Sequence, residues 1–128
     1  MRYMMLVYLD EQALSEPQRE QCYVDSTQLT HELAAKGQFV SAAPLYPVAT
    51  ATSVRVRDQR RLVTDGPFAE TREQLGGFFM VEAKDLDEAI AIAERIPGAK
   101  VGTIEIRPVI ELGGMPEPSV SQMAAQEK

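Results

Sequence analysis

Two short runs in this chain are apolar at nearly every position: Tyr3-Met4-Met5-Leu6-Val7-Tyr8-Leu9 and Gly77-Phe78-Phe79-Met80-Val81-Glu82-Ala83. A strand with apolar side chains on both faces needs cover on both, so these runs predict the central strands of a sheet. Gln38 to Leu45 predicts a second strand in chain order, which Pro44 and Pro47 confine at its end to an edge or a bend. In Ala51 to Arg57, Val54 and Val56 alternate with Ser53, Arg55 and Arg57, the pattern of one dry and one wet face. Arg60 to Thr64 follows as a short hairpin partner, reached through Asp58-Gln59, although that pair is not among the preferred tight turns. A last strand spans Thr103 to Val109, where Ile104 and Ile106 alternate with Thr103, Glu105 and Arg107.

Helical signals separate these strands. Ser15-Glu16-Pro17-Gln18 carries a capping serine, a proline in the tolerant first turn and glutamine at the capping-box position, which predicts a helix to about Lys36, ended by Gly37. Cys22, Ser26, Leu29 and Leu33 share one face of it, while His31 lies roughly opposite. Asp85 to Glu88 opens a second helix with Leu86, Ala89, Ile90, Ala93 and Ile96 as its stripe, and Pro97-Gly98 stops it.

The order β-α-β-β-β-loop-β-α-β makes the fold class α+β, a ferredoxin-like split β-α-β sandwich with two helices on one face of a mostly antiparallel sheet. Residues 1–110 form a single domain, and 111–128, with no periodic pattern, form a mobile tail. Such a sheet leaves its second face bare and apolar, and a homodimer packing sheet against sheet would cover it. The cleft between the two sheets, at the dimer interface, is then the expected place for a small polar ligand.

Composition removes several functions. A net charge of −6 and a pI near 4.8 oppose general affinity for nucleic acid or anionic membrane, and Arg55, Arg57, Arg60 and Arg61 have no interleaved aromatic residues for stacking bases. The single cysteine, Cys22, excludes an internal disulfide and no Cys/His grouping has metal-ligand spacing, so no metal and no cofactor are expected in an intracellular, cytoplasmic protein. Tyr3 to Leu9 is too short to span a membrane.

Val63 to Phe79 concentrates the unusual chemistry: a polar loop, opened by Asp65-Gly66-Pro67, pinned between apolar runs. Asp65 is either a solvated turn carboxylate or, if delivered into a cleft and partly desolvated, a catalytic proton acceptor. Arg72 is either a surface partner of Glu70 or Glu73 or an anion clamp. Ser26 and Tyr8 are candidate substrate-orienting groups. His31 is expected in solvent and Cys22 in the core, so neither is assigned chemistry.

Asp65-Gly66-Pro67-Phe68 and its flanks resemble the signature of the YCII-related (DGPF-domain) family, a likeness covering roughly Arg2 to Val109. The resemblance implies a dimeric α+β barrel. In members proposed to be enzymes it implies a helix-1 histidine paired to an aspartate, whereas the residues of this chain point to cofactor-free lyase- or isomerase-type chemistry with Asp65 as base and Ser26, Tyr8 or Arg72 as orienting groups. Counting back from Gly37-Gln38-Phe39-Val40-Ser41-Ala42-Ala43-Pro44, that histidine's place is held here by Ser26, which cannot take up a proton near neutral pH. Members also occur beside sigma factors of the extracytoplasmic-function type, which implies a non-catalytic regulatory module with a sigma-factor partner as the alternative.

Overall fold

The computed structural model describes residues 1–116. Strand β1 (Arg2–Leu9) leads into helix α1 (Glu16–Ala35), then β2 (Phe39–Pro44), the hairpin β3 (Thr52–Arg57) and β4 (Arg60–Asp65), β5 (Gln74–Glu82), α2 (Leu86–Ala93) and β6 (Thr103–Pro108). The four-stranded sheet has the order β2-β5-β1-β6 and every pairing in it is antiparallel. This is the ferredoxin-like connectivity, with the two all-apolar runs at the centre and the proline-ended strand at an edge, as their patterns predict.

Local chemistry sets the helix ends. The Ser15 hydroxyl accepts from the Gln18 N–H while the Gln18 side chain accepts from the Ser15 N–H, the complete capping box. At the other end Gly37 (φ 71°) occupies the left-handed region and Gln38 N–H reaches back to the Leu33 carbonyl, so the last carbonyls of α1 are satisfied. Helix α2 is capped by Asp85, whose carboxylate accepts from the Glu88 N–H. The Glu88 carboxylate accepts from the Lys84 N–H rather than from that of Asp85, so only half of a capping box forms.

The core lies between the helices and one face of the sheet, built from Tyr3, Met5 and Val7 of β1, Phe79 and Val81 of β5, Leu29 and Leu33 of α1, and Ala89, Ile92, Ala93 and Ile96. The stripe on α2 is narrower than its sequence predicts: Leu86 and Ile90 are exposed and Ile92 takes their place inside. Register puts Met4 opposite Met80 and Leu6 opposite Phe78, so these four share the sheet's other face, rimmed by the Arg2–Glu82 and Glu105–Arg107 ion pairs.

The hairpin departs from expectation. It forms a separate two-stranded sheet, and Val54, Val56 and Val63 are each more than half exposed. Register places Val54 beside Val63 and Val56 beside Arg61 on one face, and Arg55 beside Leu62 and Arg57 beside Arg60 on the other. The predicted dry face therefore exists in pattern, but nothing in the described chain covers it. Asp58 and Gln59 both have positive φ (50° and 63°), the geometry of a type I′ turn, which explains how an unfavoured residue pair still joins the strands tightly. After β6, the Val109 N–H donates to the Arg2 carbonyl, so the chain stays docked beyond its last strand. The predicted mobile tail falls largely on residues 117–128, outside the described ones.

One ion pair near this point gives a pH prediction. The Arg2 hydrogen bond, at 2.8 Å, followed by the terminal amine, holds the Glu82 carboxyl below its ordinary value of 4.5. A carboxyl lowered in the folded chain stabilises fully above its unfolded value, and that contribution is lost as pH falls through the folded one. Stability should therefore decline below about pH 4.5, and Glu82→Gln should flatten that acid limb in urea titrations while leaving neutral stability slightly lower. Equal acid limbs in both chains would show that this partly exposed pair contributes nothing measurable.

Candidate functional site

The C-terminal half of the α1 stripe is leucine and its N-terminal half is not. Leu29 and Leu33 are buried against the sheet, whereas the same face further back presents Ser26, Cys22 and Arg19. Small side chains there cannot fill the space that leucines fill one turn on. The opposing surface is bare too, because Gly76 and Gly77 of β5 and Gly98 after α2 bring no side chain. A Cβ on Gly98 would lie 2.6 Å from Val7 Cγ1, so the segment after α2 packs on β1 too closely to carry a side chain there.

The result is an inner cleft of about 270 Å³ between α1 and the sheet, with Val7, Phe39, Phe79 and Ile96 among its apolar walls. An outer cleft of about 500 Å³ continues from it towards Leu45, Tyr46 and Arg19. Leu9, Cys22, Tyr23, Pro44 and Gly76 line both, which makes them one groove.

Hydroxyl groups on α1 supply the inner cleft's polarity. Thr27 donates to the Tyr23 carbonyl and Thr30 to the Thr27 carbonyl, so both are engaged by their own helix. Ser26, half-buried on the same helix, makes no side-chain hydrogen bond within the described chain. It is the hydroxyl of that trio left available to a ligand.

The nominated residues do not come together. Ser26 lines the inner cleft. Tyr8 alternates with the buried Val7 and so projects from the sheet's other face. Asp65 ends β4 and is exposed, pairing in register with Thr52, and Arg72 is an exposed loop residue. Neither lines the groove, so one chain provides no desolvated setting for the Asp65 carboxylate. In the same loop the Thr71 hydroxyl donates to the Glu73 carbonyl, and Gln74 opens β5.

His31 is exposed, as its place on the helix predicts. Cys22 is corrected from core to cleft wall: it is half-buried and lines both parts of the groove. Tyr23 and Arg19 were not singled out from sequence, although Arg19 continues the 33-29-26-22 stripe back by one turn. Among the described residues no three His, Cys, Asp or Glu side chains group to hold a metal, and no helix is long and apolar enough to cross a membrane.

Comparison with known proteins bears on the whole chain. The model of the YCII-related domain matches residues 1–113. The chain belongs to the YCII-related family. An uncharacterized protein of Rhizobium meliloti (strain 1021) is 34% identical over 114 residues, which span 85% of this chain and 92% of that one. The structure is also similar to 5-chloro-2-hydroxyhydroquinone dehydrochlorinase from Burkholderia phenoliruptrix AC1100, at 16% identity and a TM-score of 0.49, covering 86% of this chain and 94% of that enzyme. This YCII-related chain lacks a histidine in the groove, since its single His31 faces solvent.

Proposed function

We propose that this YCII-related protein binds a small, mainly apolar molecule in the cleft between α1 and the sheet, with Ser26 as its polar contact. The supporting observation is the uncommitted Ser26 hydroxyl set among apolar walls in a space of about 270 Å³, near the lower end of ligand-pocket size. Burial between packed elements favours this cleft over one between subunits, because its walls are formed within one chain. Acid-base chemistry at Asp65 would need a second copy to cover that carboxylate.

Titration of the labelled protein with a library of small aromatic compounds, followed by methyl NMR, tests the assignment. Ligands should shift Val7, Leu9 and Ile96 together. Shifts confined to Met4, Leu6 and Met80 would move the site to the opposite face of the sheet and overturn the proposal.

A second reading, an interaction module, is favoured by the bare valine face of the hairpin. An isolated two-stranded hairpin is marginal in water, and Val54, Val56 and Val63 exposed together on one face suit a protein partner. A second copy of the chain is the partner of choice, since the open sheet face with Met4, Leu6, Phe78 and Met80 also suits self-association. A sigma factor is the other partner in this reading. Sedimentation at micromolar concentration separates the cases: a dimer supports self-association, and a monomer removes it.

A further inference from the structure

A half-buried arginine stands at the outer end of the groove with no acid paired to it. Arg19 sits one turn before Cys22 on the groove-facing stripe of α1 and lines the outer cleft. Its Nη2 donates to the main-chain carbonyl of Glu11 at 3.0 Å. None of the ion pairs among the described residues includes Arg19.

In a chain with 19 acidic and 13 basic residues, a partly buried cation left without a carboxylate is unusual. A guanidinium carries five N–H donors in a planar fork, and one bond to a carbonyl leaves most of them unused. Glu11 lines the same outer cleft, but its carboxylate is engaged elsewhere: Oε2 accepts from the Val48 N–H at 3.0 Å. Lengthwise, then, the groove changes from apolar walls, past the Ser26 hydroxyl, to a mouth where the Arg19 guanidinium has no ion pair among the described residues and the Glu11 carboxylate is turned to the Val48 N–H.

We propose that the ligand of this groove is amphipathic and anionic: an apolar, aromatic-sized body in the inner cleft and a carboxylate held by Arg19 in the outer one. Planar carboxylate against planar guanidinium allows two parallel hydrogen bonds, which a point charge would not offer. The proposal rests on the inner cleft being the binding site and adds the chemical class of what enters it. Tyr23, which lines both parts and has no side-chain partner among the described residues, stands between the two ends.

The test uses 3-phenylpropionate and 3-phenylpropionamide, which share a body and differ in charge, titrated into the full chain by NMR. The acid should bind the wild type about tenfold more tightly than the amide, and the advantage should shrink with added salt. In Arg19→Gln the ratio should fall to about one, while the amide's own affinity stays as it was. Arg19→Lys keeps the charge without the fork and should retain part of the preference. Equal binding of acid and amide, or a ratio unchanged in Arg19→Gln, overturns the anionic subsite and leaves the inner-cleft assignment standing if Val7 and Leu9 still shift. If neither probe shifts those methyl groups, both assignments fall together.

Discussion

Ser26→Leu is expected to give a chain that is more heat-stable and no longer takes up ligand. Leu33 and Leu29 already seat on the sheet from the same face of α1, and a leucine at 26 carries that row one turn further. It would enter apolar space that serine leaves empty, and the serine hydroxyl it removes has no partner among the described residues to orphan. Burying a leucine side chain contributes about 1.5–3 kcal/mol. Imperfect fit and lost rotamer freedom reduce that to about 1 kcal/mol, or a few degrees in Tm. The same side chain would occupy much of the cleft, so affinity for an inner-cleft ligand should fall at least a hundredfold. Stabilities and affinities come from independent measurements here, thermal unfolding and titration. A variant that melts lower yet binds normally would show that the cleft is not where the structure places it.

Gly102→Ala is expected to be among the most damaging single substitutions in the chain, at a cost of about 3 kcal/mol. A Cβ at this position would stand 2.0 Å from the Tyr8 carbonyl oxygen, 2.9 Å from Leu9 Cβ and 3.0 Å from Leu9 Cα. Two of those three atoms are main chain, so no rotation of a side chain relieves the clash. The joint concerned holds the start of β6 to the end of β1, where Tyr8 and Thr103 are partners and the β1–β5 register slips between Val7 and Tyr8. Gly76→Ala is the matching control. Its Cβ would find only ordinary contacts of 3.8 Å with Leu9, so it should fold with near-normal stability. A urea titration of both variants decides the matter, and equal midpoints would contradict the close approach at 102.

The two expectations share a cause. The floor of the groove is made of β1 and β5 at the point where glycines replace side chains, and the roof is the half of α1 where small and polar residues replace leucine. Local signals of this kind are visible one residue at a time, but their alignment across the groove is not. Gly76 and Ser26 are 50 positions apart and belong to elements whose relative placement depends on the sheet order β2-β5-β1-β6.

Strand centrality was legible because apolar runs such as Tyr3 to Leu9 carry the need for cover in their own pattern. Helix ends were legible because Ser15, Gln18 and Gly37 act on their own backbones within a turn. Inward and outward faces of β6 followed from strict alternation of Ile104 and Ile106 with charged neighbours. The site residues were not legible in the same way. Asp65, Tyr8 and Arg72 are chemically apt groups, and chemistry alone drew attention to them. Apt chemistry does not say which surface a side chain reaches: one residue's shift in a strand exchanges the two faces of a sheet, and this separates Tyr8 from the cleft that Val7 and Leu9 line.

By itself the sequence determined the elements, their order, the ferredoxin-like arrangement and the YCII-related membership, since each depends on interactions within a turn, a strand or a continuous pattern. Only the tertiary structure decided that the hairpin stands apart with its valines bare, that Ser26 faces the cleft, and that Arg19 enters no ion pair among the described residues. Those are statements about what is missing from a neighbourhood. A neighbourhood is assembled from residues far apart in the chain, so vacancy and unpaired charge appear only once the elements have packed.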